Sequence, residues 1–352
     1  MVMGRRDDVA TAPAAIAAFA VAGLAEQLTL AVLSVPFRAP WRGAHSVMDN
    51  IGSSVTRQVM RSFMGYACAL PTDEFRSVEL LIDDLCRVVM PPVVRSLGVT
   101  MDRTEVGGVP GLWYHPNLGT EPSTRGTVLY LHGGGYVATC PTMYAAFNAY
   151  IARSSECSVF APDYRLAPEF PYPAGLLDVA TVLDQLFADG LSPDRFILAG
   201  DSGGGGLATS LLNDVRTRKL ADPAGLVLFS PEVGLSFTEP SMIENAGKDI
   251  LPWNIPTMPY LHGIDALDPR VDALTDDISD YPPTFVSFGD DEMFRDPIRA
   301  FLARLDAAGI ENSRVEEPGM FHVYPFLMPW SEASHRVFRD VGRFIARCLP
   351  DD

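Results

Sequence analysis

Basic residues are scarce in this sequence. Its 352 residues include 27 Lys and Arg against 44 Asp and Glu, which gives a formal charge of −17 at pH 7. An acidic surface repels the phosphates of nucleic acids and the headgroups of anionic membranes. The composition therefore argues against nucleic acid as a partner and favours a small uncharged ligand.

Cysteines and metal-binding motifs are also scarce. The cysteines are odd in number, scattered, and without C-x-x-C spacing: Cys68, Cys86, Cys140, Cys157 and Cys348. This usage predicts buried thiols in a reducing compartment rather than disulfides or zinc ligands. No H-E-x-x-H pattern or cluster of His and Asp at ligand spacing is present. We therefore expect a cytoplasmic protein without a metal or another cofactor.

Long apolar runs are missing except near the N-terminus, where residues 9–25 carry no charge and follow Arg5 and Arg6. Pro13 interrupts this run and Glu26 ends it, which argues against a secretion signal and a membrane span. The favoured interpretation is a set of packed helices. An interfacial membrane helix and a targeting segment are the alternatives.

The chain changes character near residue 96. Residues 1–95 have apolar side chains at helical spacing, and prolines such as the pair Pro91-Pro92 are expected to separate the helices. They are predicted to form a helical cap. Residues 96–352 begin with an antiparallel hairpin and continue with strands alternating with helices, which predicts an α/β fold with a mostly parallel sheet. The interval 234–281 lacks this alternation and is expected to contribute to the cap.

Short apolar runs and helical patterns locate the elements of the larger part. Strands are predicted at 100–106, 111–115, 128–131, 159–161, 196–199, 226–229, 284–288 and 313–317. Helices are predicted at 174–188, 204–218, 297–308 and 332–348.

A G-x-S-x-G turn, Gly200-Asp201-Ser202-Gly203-Gly204, follows the apolar run 196–199. A strand, a sharp turn presenting serine and a helix behind it are what a nucleophile elbow requires. Asp201 is expected to make a structural contact. A dinucleotide-binding loop would also use these glycines, but the elbow explains them better.

The stretch His132-Gly133-Gly134-Gly135-Tyr136 stands where the strand 128–131 ends. Consecutive glycines let backbone N–H groups face a cavity, as an oxyanion hole requires. A plain glycine turn is the alternative, and the elbow downstream favours the oxyanion hole.

A catalytic serine on a nucleophile elbow is followed along the chain by an acid and then by a histidine. His322 fits because it lies in a loop after the last predicted strand. His132 is expected to order the glycine loop. The remaining histidines lack strand-end placement, although His262 could line the pocket: His45, His115, His262 and His335. Four carboxylates follow the strand 284–288, namely Asp290, Asp291, Glu292 and Asp296. The first three are candidates for the acid, and a cluster of surface acids with the orienting acid elsewhere is the alternative.

Taken together, these motifs resemble the hormone-sensitive-lipase family of α/β-hydrolases over about residues 98–350. The resemblance is carried by the glycine loop, the elbow and His322, and by the stretches 163–169 (DYRLAPE) and 281–284 (YPPT). One departure is Gly203, where the family usually has alanine, but the backbone amide is retained.

The resemblance implies an α/β-hydrolase fold with an N-terminal helical cap. It implies that the amides of Gly134, Gly135 and Gly203 form the oxyanion hole, and that 163–169 braces the sheet near the site. The family register D-x-L-x-D places Glu292 as the acid, with Asp290 as the main alternative. Related enzymes often pair through their last strand and helix, so a homodimer is possible.

The sequence thus predicts a serine hydrolase that cleaves carboxylic esters through an acyl-enzyme. Ser202 attacks, His322 is the base and Glu292 orients it. Short to medium acyl esters, acetylated compounds and lactones all fit an apolar cap. Amide cleavage or another reaction in the same pocket, and a non-catalytic receptor on the same fold, are the alternatives. Weak association with a membrane surface through residues 9–35 is a further possibility.

Overall fold

The structure is a computed structural model that describes residues 9–117, 125–252 and 258–349. Arg5 and Arg6 and residues 253–257 of the interval 234–281 lie outside the described residues. The strands are β1 Val99–Val106, β2 Val109–Pro116, β3 Thr127–Leu131, β4 Ser158–Pro162, β5 Phe196–Asp201, β6 Gly225–Phe229, β7 Thr284–Gly289 and β8 Asn312–Glu317. They form one eight-stranded sheet in the order β1-β2-β4-β3-β5-β6-β7-β8.

Three long helices come before the sheet in the chain, and the other helices lie between its later strands or after them. They are α1 Ala14–Ser34, α2 Val47–Ala67, α3 Thr72–Ser96, α4 Ala145–Ser155, α5 Ala174–Ala188, α6 Ser202–Thr217, α7 Pro240–Glu244, α8 Met258–Leu261, α9 Arg295–Ala308, α10 Tyr324–Leu327 and α11 Glu332–Cys348. The predicted α/β class is therefore confirmed.

The sheet is parallel from β4 to β8, and antiparallel only where β2 joins β1 and β4. All residues of β4, β5, β6 and β7 are buried. Strands covered on both faces must be apolar throughout, which explains why these appear in the sequence as continuous apolar runs. In the register, Leu129 of β3 lies opposite Leu198 of β5. The carboxyl ends of β3 and β5 therefore lie side by side.

Two sequence expectations about helices need correction. The pair Pro91-Pro92 does not separate helices, because α3 continues through it to Ser96. Val94, beyond the prolines, is fully buried in the core, and this packing favours continuation of the helix. Helix α4 was not predicted from the sequence. Seven of its eleven residues are buried, so it has no clear polar face to give a helical pattern.

Helix α1 is apolar but largely exposed. With the turn through Arg38 that follows it, it is long and apolar enough to cross a membrane by length and composition, although only 11% of that window is buried. It packs on α2 and α3, and the Tyr66 hydroxyl of α2 donates a hydrogen bond to the Ala20 carbonyl at 2.9 Å. The outer face of α1 has no covering in the described part of the chain.

Candidate active site

Ser202 lies at the junction of β5 and α6. Its backbone φ is +51°, in the left-handed region that L-residues rarely adopt. A Cβ atom at Gly204 would lie 2.2 Å from the Leu131 carbonyl oxygen, and one at Gly200 would lie 2.5 Å from the Gly204 carbonyl oxygen. Side chains at these two positions would therefore prevent the sharp turn that presents the serine.

His322 connects the serine to an acid. Its Nε2 lies 2.8 Å from Ser202 Oγ, and its Nδ1 lies 3.3 Å from Glu292 Oε2. The three side chains come from the carboxyl ends of three different strands, β5, β7 and β8. His322 and Glu292 are almost fully buried, and Ser202 is 7% exposed. This continuous chain of contacts is the geometry of a nucleophile, a base and an orienting carboxylate.

The second oxygen of Glu292 is held by two further donors. Glu292 Oε1 accepts hydrogen bonds from the Ser230 hydroxyl at 2.6 Å and from the Gly289 amide at 2.5 Å. Burial raises the pKa of Glu292, whereas its hydrogen bonds favour the ionised form. Burial also disfavours a charged His322. The hydrogen bond and charge of Glu292, together with the charges of Asp249 and Asp201, outweigh burial and raise the pKa of the imidazole above its usual value.

The neighbouring acids point elsewhere. Asp290 Oδ1 accepts a hydrogen bond from the Gly319 amide at 2.5 Å. Asp291 pairs with Arg57 at 3.3 Å and with Lys248 at 3.5 Å. Of the three candidate acids, Glu292 is the one that the structure brings to His322.

The glycine loop packs directly against the elbow. A Cβ atom at Gly203 would lie 3.2 Å from the Gly135 amide nitrogen and 3.0 Å from that of Tyr136. The Gly133 amide is occupied, because it donates to Asp201 Oδ1 at 2.8 Å. Among the described residues, the amides of Gly134 and Gly135 donate no hydrogen bond. Gly203 is in the first turn of α6, where helix amides have no intrahelical acceptor.

Asp201 braces this loop rather than taking part in the triad. Its carboxylate accepts hydrogen bonds from the hydroxyls of Tyr130 at 2.6 Å and Tyr144 at 2.9 Å, besides the Gly133 amide. Burial raises its pKa to about 6, although all three donors oppose the shift. The structural contact expected of Asp201 is present, and it extends to distant residues in and beside the glycine loop.

The stretch 163–169 supports the same loop from the other side. The Tyr164 hydroxyl donates to the His132 carbonyl at 2.5 Å, and its ring stacks on the imidazole with centroids 4.4 Å apart. The Ala167 amide donates to the Tyr136 carbonyl at 2.9 Å. His132 thus lies within the packing of the glycine loop, as expected.

Two residues that support the triad were missed by sequence reasoning. The Ser230 hydroxyl accepts from the Val323 amide at 2.9 Å while donating to Glu292, so it links the loops of the acid and the base. Asp249, which is fully buried, accepts from the amides of His322 at 2.9 Å and Met293 at 2.7 Å. Asp249 is one of several acids in the interval 234–281, so nothing in the sequence distinguished it.

Helix α2 reaches the same loops through two arginines. Arg57 donates to the carbonyls of Lys248 and Gly319, and pairs with Asp291. Arg61 donates to the carbonyls of Ala246 and Asp249 at 2.8 and 2.5 Å. These contacts join the N-terminal helices to the interval 234–281 behind the acid and the base.

The other histidines are away from the triad. His45 Nε2 lies 2.8 Å from the Pro318 carbonyl oxygen, His115 Nδ1 lies 2.9 Å from Ser158 Oγ, and His262 is exposed. A pocket-lining role for His262 therefore has no support in its position. No group of His, Cys, Asp or Glu within the described ranges is arranged to hold a metal ion.

Comparisons with known proteins agree on a family. The profile of a family described as the alpha/beta hydrolase fold matches residues 128–326. An acetyl-hydrolase of Streptomyces hygroscopicus is 31% identical over 223 residues, covering 62% of this chain and 75% of the relative. An esterase of Acinetobacter venetianus is 27% identical over 271 residues, covering 75% and 86%. The crystal structure of an esterase from the bacterial hormone-sensitive lipase family has a TM-score of 0.75 at 28% identity, covering 87% of this chain and all of the other.

Proposed function

The chain belongs to the hormone-sensitive-lipase family of α/β-hydrolases and is a serine carboxylester hydrolase, and from this we propose that it works through an acyl-enzyme formed on Ser202. The observation that carries the proposal is the unbroken contact from Ser202 Oγ through His322 to Glu292. A serine hydroxyl is a weak nucleophile unless a base removes its proton, and His322 Nε2 is within reach to do so.

In the first half of the reaction, Ser202 Oγ attacks the ester carbonyl carbon while its proton passes to His322 Nε2. The carbonyl oxygen becomes an anion, which the amides of Gly134, Gly135 and Gly203 would bind. The intermediate collapses, the bond to the alcohol oxygen breaks, and His322 gives its proton to the leaving alcohol. The acyl group remains on Ser202.

In the second half, a water molecule takes the place of the alcohol. His322 accepts a proton from the water as its oxygen attacks the acyl carbon, and the proton then returns to Ser202 as the acid leaves. Glu292 holds the Nδ1 side of the ring and stabilises the imidazolium formed in both halves. Ser230 and the Gly289 amide hold Glu292 in place for this task.

For the substrate, we propose short to medium acyl esters, acetylated compounds or lactones of low polarity. The acidic composition and a relative named as an acetyl-hydrolase support an uncharged, small-acyl ester. We assign residues 1–95 and 234–281 to a cap and the rest of 96–352 to the catalytic domain. The contacts of Arg57, Arg61 and Asp249 beside the triad support this division.

The cytoplasmic location, a homodimer, and contact with a membrane surface through residues 9–35 stay predictions. All five cysteines are free thiols, which is compatible with a reducing compartment. The exposed apolar side chains of α1 support the prediction that this helix contacts an apolar surface outside the described chain, such as a membrane.

Replacement of the nucleophile tests the proposed mechanism. We expect Ser202→Ala to lower kcat on a short-chain ester by about 10⁶-fold, because the acyl-enzyme cannot form. A fluorophosphonate probe should label the wild-type protein and not the variant, since it reacts with activated serines. Full esterase activity in Ser202→Ala, or labelling that persists there, would contradict the proposal.

A further inference from the structure

Glu232 is a buried carboxyl group that the proposed mechanism does not use. It lies three residues beyond the end of β6 and is only 1% exposed. Within the described part of the chain, neither of its carboxylate oxygens has a hydrogen-bond partner. An unpaired buried carboxyl group is costly, and one that is present in a folded protein calls for a functional or structural reason.

The position of Glu232 relates it to the reacting serine. Its backbone amide donates a hydrogen bond to the Ser202 carbonyl at 2.9 Å, so the two residues are joined directly. Burial raises the pKa of the Glu232 carboxyl group, and the charge of His322 opposes this effect. The orphan carboxyl group is therefore within electrostatic range of the catalytic base.

A second unpaired polar group belongs to the same region. The Tyr260 hydroxyl, from α8, is buried and has no partner among the described residues. Its ring stacks on Tyr136 of the glycine loop with centroids 3.8 Å apart. After burial, the charge of Glu232 is the largest cause that raises the pKa of Tyr136, and it also raises that of Tyr260. The geometry agrees, because a Cβ atom at Gly206 would lie 2.1 Å from the Tyr136 hydroxyl oxygen and 2.6 Å from the Glu232 carbonyl oxygen. Glu232 therefore lies beside the Tyr136 ring on which Tyr260 stacks.

The chemistry of the two groups indicates what they can bind. Burial raises the pKa of Glu232 to about 8, so the carboxyl group is mostly protonated at neutral pH. A protonated carboxyl group and a phenol both donate and accept hydrogen bonds. A substrate hydroxyl has the same double capacity, whereas a substrate ammonium group would pair with the ionised carboxylate.

We propose that Glu232 and Tyr260 form a polar subsite beside Ser202 that binds a hydrogen-bond donor, a hydroxyl or a protonated amine, on the acid or alcohol part of the ester. A ligand in the subsite would satisfy two buried groups that have no partner among the described residues. It narrows the substrate class from apolar esters in general to esters with one polar substituent. This inference rests on the proposed function, because the same ester occupies Ser202 and the subsite.

Pairs of esters of equal size test the subsite. Methyl β-hydroxybutyrate and methyl isovalerate differ in a hydroxyl against a methyl group on the acid part, and ethylene glycol monoacetate and propyl acetate do the same on the alcohol part. Methyl β-aminobutyrate carries an ammonium group in place of the hydroxyl group of methyl β-hydroxybutyrate, and it tests whether the subsite prefers a cation. The ratio of kcat/KM values within a pair would be measured by pH-stat for wild type, Glu232→Leu, Glu232→Gln and Tyr260→Phe, with the exposed Glu311→Gln as matched control.

We expect wild type and Glu311→Gln to prefer the polar member of at least one pair. Glu232→Leu should lower that ratio about tenfold and Tyr260→Phe about threefold, since a buried substrate group loses a partner. Glu232→Gln should keep a hydroxyl preference and lose an ammonium preference, which tells the two donors apart. Because this variant and Tyr260→Phe are nearly isosteric, they keep the test valid if Glu232→Leu does not fold.

Two results overturn the subsite. One is a wild-type enzyme that prefers the apolar member of every pair, and the other is an unchanged ratio in all Glu232 and Tyr260 variants. Both leave ester hydrolysis by the wild type intact. Failure of the proposed function has a different signature, namely no Ser202-dependent hydrolysis of any ester in the panel.

Discussion

The catalytic region and the N-terminal helical region use polar and apolar side chains in opposite ways. Around the triad, Asp201, Asp249 and Glu292 are fully buried, and each accepts three hydrogen bonds or close polar contacts. In contrast, thirteen of the eighteen exposed large apolar side chains in the described chain lie between residues 16 and 89. The catalytic region is thus preorganised, whereas the helical region retains apolar surface for contacts outside the sheet.

Polar contacts join the two regions at more than one place: Arg76 of α3 binds Glu169, and two arginines of α2 bind loops near the triad. Arg57 and Arg61 of α2 bind the backbone of residues 246–249, and Asp249 in turn binds the loops of the acid and the base. The helical region, which we propose to be part of a cap over the substrate, is in this way connected to the residues of the triad. Substitutions in each region show how far the preorganisation of one depends on the other.

The largest effect among the supporting residues is expected at the triad acid. Glu292→Gln should lower kcat by about 10⁴-fold, because the amide cannot stabilise the imidazolium and favours the wrong tautomer. Asp290→Asn is the matched control and should lose far less, since Asp290 contacts the Gly319 amide and not His322. Steady-state kinetics on one short ester give kcat for both variants. Equal losses of kcat would show that Glu292 is not the acid that orients His322.

The same variant changes the pH dependence. His322 must be neutral to act as a base, so activity falls as the pH falls through the pKa of His322. Glu292 raises that pKa, and its replacement by Gln should therefore move the acidic limb of kcat/KM to lower pH. A pH profile of residual activity in Glu292→Gln measures this shift, and a limb that moves to higher pH would contradict the assigned cause.

An intermediate effect is expected at the junction of the two regions. In the wild type, both carboxylate oxygens of Asp249 accept hydrogen bonds from backbone amides. In Asp249→Asn, an NH₂ group replaces one of these oxygens, so that two donors face each other. We expect a loss of about 1–3 kcal/mol in the free energy of unfolding and about a tenfold fall in kcat. Denaturant unfolding and steady-state kinetics provide the values. Unchanged kcat with reduced stability would show that Asp249 supports the fold and not the geometry of the triad.

The smallest effect is expected on the outer face of the helical region. Phe19 and Phe37 are 79% and 90% exposed, so Phe19→Ser and Phe37→Ser should change kcat/KM on a water-soluble ester by less than about twofold. Thermal unfolding should be unchanged within error for the same reason. A tenfold loss of activity would show that the exposed face is coupled to the triad, and the contrast between the two regions would not hold.

Much of the fold could be predicted from the sequence because its strands are buried on both faces. Such strands appear as short apolar runs between glycines and prolines, and the predicted strands agree with β3 to β7. The edge strand β8 was also predicted, although it is mostly polar and only partly buried. Helix α4 was missed because it is buried nearly all round and lacks the polar face that reveals a helix. The prediction that Pro91-Pro92 separates two helices was wrong, because the buried Val94 beyond the prolines favours continuation of α3.

In the active site, sequence motifs identified the residues whose roles depend on local backbone geometry. The glycines around Ser202 and in the loop after β3 are required by close backbone contacts, which sequence spacing reveals. Ser230, Asp249 and Arg57 belong to no motif, because their roles arise from hydrogen bonds to residues far away in the chain. No pattern in a single sequence indicates such contacts.

The sequence by itself determined the class of chemistry, since the elbow at Ser202, the glycine loop and the order of serine, acid and histidine are properties of the chain. Only the tertiary structure decided which carboxylate faces His322. Asp290, Asp291 and Glu292 are adjacent in the sequence, and they differ in the direction that the turn after β7 gives each side chain. It also decided that the Glu232 carboxyl group is buried beside Ser202 with no partner among residues 9–117, 125–252 and 258–349. The reason is that burial depends on what packs around a residue and not on its neighbours in the chain.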